Sequence, residues 1–192
     1  MKKHLFRKTV IVMALILAGL GGALSVPPAV ADHEWAKGYW NRAALVEYDG
    51  IASGNVQDAA YYWQDRGYWY GYYPPLPYSS HGGTECTNVT DQWINVCTVS
   101  RSVIEPYCSP NQCDGVMETF IFSNAVISGA YILVASDLSS SDRQKVWRHE
   151  FGHAMGLGEV YDDDDCVMYW IGVLGPLGET CDHDTDAMAL MY

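Results

Sequence analysis

The chain has 192 residues, 49% of them hydrophobic, with 23 acidic against 11 basic side chains and a formal charge of −12. That length builds one domain with a substantial core and is short for two. So acidic a surface repels nucleic acid and anionic membranes, which argues against both as partners.

The first segment reads as a targeting signal. Residues 2–8 (KKHLFRK) carry four basic groups, an apolar run follows from Val10 to Leu24, and Ala29 and Ala31 supply the small residues of a cleavage site. This order predicts a cleaved secretory signal over residues 1–31 and a single domain over residues 32–192, exported and without stable membrane association once cut. The cut removes four basic residues and no acidic ones, leaving seven against 23 and a charge near −16. The surface of such a protein is well solvated, and it is expected to be a monomer.

All six cysteines (Cys86, Cys97, Cys108, Cys113, Cys166 and Cys181) follow the signal. An even count in an exported chain predicts disulfides. Fifteen connectivities are open to them, and the expected one pairs neighbours: Cys86–Cys97, Cys108–Cys113 and Cys166–Cys181. No CxxC pair is present, which disfavours a cysteine zinc site.

In chain order, residues 43–49 (AALVEYD) alternate as a strand does. Val56, Ala59, Ala60 and Trp63 fall at helical spacing within residues 55–67, with Gly67 as a stop. Residues 68–83 (YWYGYYPPLPYSSHGG) have the prolines and glycines of an irregular loop. Residues 92–104 are strand-like, 105–116 form a cysteine-bracketed turn, and 117–138 read as two strands broken near Ser128 and Gly129. A helix then begins with Ser141 and Gln144 as a capping box and ends at Gly156 and Gly158. Residues 184–192 predict a last short helix. Strand, helix, several strands and two further helices give an α+β class.

The chemistry is concentrated in HEFGHAMGLGEVYDDDDCVMY, residues 149–169. Positions four apart share a helix face, so His149 and His153 present two imidazoles to one ion. Glu150, beside the first of them, is placed to act as a general base on a water and then as an acid toward a leaving amine. Gly156 lets the chain leave the helix and double back, which brings position 159 toward the same point.

HExxHxxGxx followed by a ligand position, and then by Met168 in CVMY, resembles the metzincin clan of zinc endopeptidases, its matrixin-like branch in particular. The likeness is specific over residues 149–169 and weak before about residue 117. It implies a twisted, mostly parallel or mixed sheet with an active-site helix and a small C-terminal subdomain. It further implies that GAYILVASDL, residues 129–138, belongs to the edge strand lining the substrate cleft. Met168 would support the metal from beneath without binding it. Zinc is then the expected cofactor, held by His149, His153 and Glu159, with Glu150 catalytic and an extended polypeptide as substrate.

Two positions depart from that family. Glu159 stands where histidine, or in some members aspartate, is expected. A carboxylate can ligate zinc, but its charge weakens the ion's pull on water. Asp162–Asp165 and His183 are alternative third ligands, and Glu179 would be one in a thermolysin-like arrangement. Trp170 replaces the usual proline after Met-Tyr, which leaves the size of the neighbouring pocket open. The run Asp162–Asp165 is also a candidate calcium site, although acidic runs are more often solvated loops. His81 reads as a loop residue. The second functional reading is a module of this fold that has lost the reaction and binds peptide or polysaccharide through residues 61–78.

Overall fold

The computed structural model describes residues 38–41, 44–48, 53–70, 78–82, 86–89, 92–108, 113–121, 125–161, 166–169 and 181–191. The expected signal, the Asp162–Asp165 run, Trp170 and Glu179 lie outside these residues. The elements in order are β1 (Leu45–Tyr48), α1 (Ser53–Tyr70), β2 (Tyr78–Gly82), β3 (Trp93–Val99), α2 (Arg101–Ile104), β4 (Gly115–Ile121), β5 (Ile127–Ala135), α3 (Ser140–Ala154) and α4 (Asp182–Met191). The class is α+β. The five strands form one mixed sheet in the order β2-β1-β3-β5-β4, parallel except for β4, which runs antiparallel to β5.

Side-chain alternation assigns the two faces of the sheet. Ile94, Val96, Ala130, Ile132 and Val134 project to the face that carries α1 and α3, where they pack with Val56, Ala59, Ala60, Trp63, Val146, Trp147 and Phe151. Cys97, Tyr131, Leu133 and Ala135 project to the other face and meet Ile104. β5 is therefore covered on both faces and paired on both edges. The edge on this side of the sheet is β4, so residues 129–135 are interior rather than the rim of a cleft.

Several expected boundaries move. α1 continues through Gly67 to Tyr70, and its stripe of Val56, Ala59, Ala60 and Trp63 is anchored by burial. A local glycine penalty of about 1 kcal/mol is small beside that. The aromatic loop of residues 68–83 contains a strand, β2, paired with β1. Ser128 and Gly129 sit within β5, where the Ser128 hydroxyl donates to the Phe120 carbonyl, and the break falls earlier, after Ile121. The N-cap of α3 is Ser139 rather than Ser141. Its Oγ accepts from the Asp142 N–H at 3.2 Å and lies 2.7 Å from the Asp142 carboxylate, so the capping partner is Asp142 and not Gln144.

The six cysteines pair as Cys86–Cys97, Cys108–Cys113 and Cys166–Cys181. No helix among the described residues is long and apolar enough to cross a membrane.

Candidate metal centre

α3 carries the site, and two tryptophans from distant parts of the chain hold that helix. Trp63 Nε1 on α1 donates to the Arg148 carbonyl at 2.8 Å, and Trp40 Nε1 donates to the Ala154 carbonyl at 2.7 Å. The second bond satisfies one of the carbonyls that a helix leaves unpaired in its last turn. Sequence reading missed both, since 85 and 114 residues separate the partners.

The helix ends in a full Schellman motif. Gly156 N–H donates to His153 O at 2.9 Å and Leu157 N–H to Gly152 O at 3.0 Å. Gly156 takes φ 104°, a conformation in which a Cβ would be strained. The chain then reverses, and Glu159 comes back over the histidines. Val160 N–H donates to Met168 O at 2.8 Å, which pins this returning segment to the turn at Cys166–Tyr169. The Cys166–Cys181 disulfide ties that turn to the start of α4.

Ligand atoms of His149, His153 and Glu159 lie within 4.8 Å of one another. His153 Nε2 is 3.1 Å from Glu159 Oε1, and His149 Nε2 is 3.5 Å from Glu159 Oε2. A tetrahedral ion with bonds of ~2.0–2.1 Å sets its ligands about 3.3 Å apart, and each imidazole stands close to that spacing from one of the two carboxylate oxygens. Both rings turn Nε2 toward the carboxylate because Nδ1 is engaged elsewhere. His149 Nδ1 lies 2.9 Å from the Val167 carbonyl, and His153 Nδ1 lies 2.9 Å from the Leu157 carbonyl. A carbonyl can only accept, so it fixes the proton on Nδ1 and leaves the Nε2 lone pair for a cation. Glu159 Oε2 is buried with no hydrogen-bond partner among the described residues, an acceptor that an ion between the three groups would satisfy.

Without a metal, the three groups hold a proton instead. Burial opposes charge on His149, but Glu159 facing it, the nearby Glu150 and the Val167 carbonyl raise its pKa from 6.5 to about 9. Burial likewise opposes charge on Glu159. The two imidazoles outweigh it and lower its pKa to about 2.

Glu150 is 7% exposed. Burial raises its pKa, against the pull of His149 and His153. Space for its carboxylate comes from β4: a Cβ on Gly115 would lie 2.7 Å from Glu150 Oε1. Arg101 fixes the approach to that glycine, with bonds to Asp114 at 2.8 Å, Asp137 at 3.0 Å and the Cys113 carbonyl at 3.1 Å. Met168 is fully buried, and its sulfur rests where a Cβ on Gly152 would stand, between the two histidines on α3. A glycine between two histidines in a helix is the sequence signal that could have marked this contact, since glycine there weakens the helix unless something needs the room.

His149, Glu150, His153 and Glu159 are thus brought together. His183 lies on α4 and His81 on β2, in stretches where only the backbone is described. Cys166, Cys181 and Asp184 also converge, but the disulfide occupies both sulfurs. Compared with known protein families and with curated proteins, the chain matches none.

Proposed function

We propose that this chain is a secreted zinc-dependent endopeptidase of metzincin type, with a His₂Glu metal set in place of three histidines. The observation that carries the reading is the convergence of His149 Nε2, His153 Nε2 and the Glu159 carboxylate beside the buried carboxylate of Glu150. Zinc held by His149, His153 and Glu159 would supply Lewis acidity, lowering the pKa of a water and polarising the scissile carbonyl. Glu150 takes the proton from the attacking water and delivers it to the leaving amine. Its raised pKa makes it a stronger base than an exposed carboxylate. The Gly115–Glu150 contact puts the start of the β4 edge at the general base, so an extended polypeptide can add to that edge with its scissile bond near Glu150. Export agrees with the three disulfides and with the signal-like first 31 residues.

The test is cleavage of unfolded casein by the wild type and by Glu150→Gln, with and without a zinc chelator. Wild type is expected to cleave and to stop when chelated, while the variant retains zinc and loses more than about 100-fold in rate. Undiminished turnover by the variant removes Glu150 from the mechanism. The second reading is a peptide- or polysaccharide-binding module, and Glu159 favours it, because an anionic third ligand weakens the activation of water. Zinc retention without any hydrolysis selects that reading.

A further inference from the structure

We propose that the substrates of this site are cationic polypeptides, and that Glu118 reads a lysine or arginine about three residues from the scissile bond. This rests on the peptidase reading of the metal centre. β4 begins at Gly115, against Glu150, and Glu118 lies three residues further along, roughly 10 Å away. Side chains opposite one another on paired strands share a face, with Cβ atoms about 4.5–5.5 Å apart. A peptide residue added opposite Glu118 therefore projects on the face that Glu118 uses, which is the face away from α3.

That face is built to hold one negative charge. Glu118 is exposed, and its carboxylate accepts a hydrogen bond from the hydroxyl of the buried Tyr131, its registered neighbour on β5. The Tyr107 hydroxyl also acts on that of Tyr131, electrostatically. Burial, together with these two partners, raises the Tyr131 pKa and keeps its hydroxyl a donor. The carboxylate is therefore oriented before any ligand arrives, and no cation pairs with it among the described residues. Phe120, two residues along on the same face and tilted against Tyr131, is exposed and can cover the aliphatic stem of a basic side chain. A charge near −16 over residues 32–192 adds long-range attraction for a cationic chain.

The experiment compares kcat/KM for matched peptides with lysine, alanine or glutamate placed two to four residues to either side of the cleaved bond. Wild type is expected to prefer lysine over alanine roughly two- to fivefold at one such position, the size of an exposed cross-strand ion pair, and the preference shrinks with added salt. Glu118→Gln keeps an acceptor for Tyr131 and removes only the charge, so the ratio falls to near one while the circular dichroism spectrum is retained. Glu118→Lys reverses the preference toward glutamate. A wild-type ratio of one at every position, or an unchanged ratio in Glu118→Gln, overturns the inference and leaves the peptidase reading standing. Cleavage of no peptide at all overturns both.

Discussion

The Val167 carbonyl meets His149 Nδ1 at 2.9 Å, so the turn at Cys166–Tyr169 sets the direction of a side chain 18 residues before it. Leu157 does the same for His153 from the other side of the site. Each histidine is aimed by backbone that folds only after the helix has ended. Changes in the turn at Cys166–Tyr169 should consequently register in metal affinity.

Glu159→Ala removes the carboxylate that lies within 3.5 Å of both imidazoles. It is expected to weaken zinc binding at least about 100-fold and to leave the fold in place. Zinc content of purified wild type and variant, side by side, measures this. Equal zinc in both would move the third ligand to the Asp162–Asp165 run or to His183.

The metal-free protein should be most stabilised by the His149–Glu159 pair between about pH 4.5 and 6.5. His149 rises from 6.5 to about 9, so its contribution is complete below 6.5 and is lost as pH climbs through 9. Glu159 falls from 4.5 to about 2, so its contribution is complete above 4.5 and is lost as pH drops through 2. Thermal melting of chelated protein across pH should show this plateau, and Glu159→Gln should flatten it. Because zinc displaces the proton on His149, apparent zinc affinity should rise with pH up to about 9.

Gly152→Ala sets two effects against each other. Alanine favours a helix by about 1 kcal/mol, but the added methyl enters the space of the Met168 sulfur and lies 2.9 Å from Trp63 Cζ2. Overpacking of this kind costs about 1–3 kcal/mol, so net destabilisation is expected. Zinc affinity should fall with it, as Met168 shifts and carries the Val167 carbonyl. Met168→Ala in the same chain should restore part of both losses. Denaturant melts and zinc titrations of the two variants check the coupling, and additive effects would rule it out.

Replacing Cys166 and Cys181 together by alanine opens a closure of 15 residues. A loop of that size is worth about 3 kcal/mol in the unfolded chain. The variant should melt earlier by that amount and hold zinc less tightly, because the turn that orients His149 loses its tie to α4. Unchanged zinc affinity would mean that Val160 and Met168 alone keep the turn in place.

What could be read from the sequence was local. The helix of residues 140–154, the facing pair His149 and His153 and the reversal at Gly156 all follow from spacing within one or two turns of chain, whereas the pairing of neighbouring cysteines was one expectation among fifteen connectivities and agrees with the bonds formed. Features that depend on distant partners were out of reach. Ser128 and Gly129 look like a break, yet pairing on both sides keeps them in β5. The tyrosine- and proline-rich stretch hides β2, whose only partner among the described strands is β1. Nothing near Trp40 or Trp63 announces a bond to a helix carbonyl more than 80 residues away. Gly115 gives no hint that it makes room for Glu150.

His149, His153 and Glu159 span eleven residues, and one helix end and one reversal bring them together, with the Val167 carbonyl then aiming His149. Chain closures of about ten residues occur in roughly 10–100 ns, whereas the pairing of β3 with β5 joins Ile94 to Ala130 and must wait for much larger loops to close. Capture of a metal by these three side chains would thus be a short-range event. On the proposed zinc reading, the chain could gather an ion before its sheet has assembled, and that ion would favour the helix end and reversal on which the rest of the domain condenses.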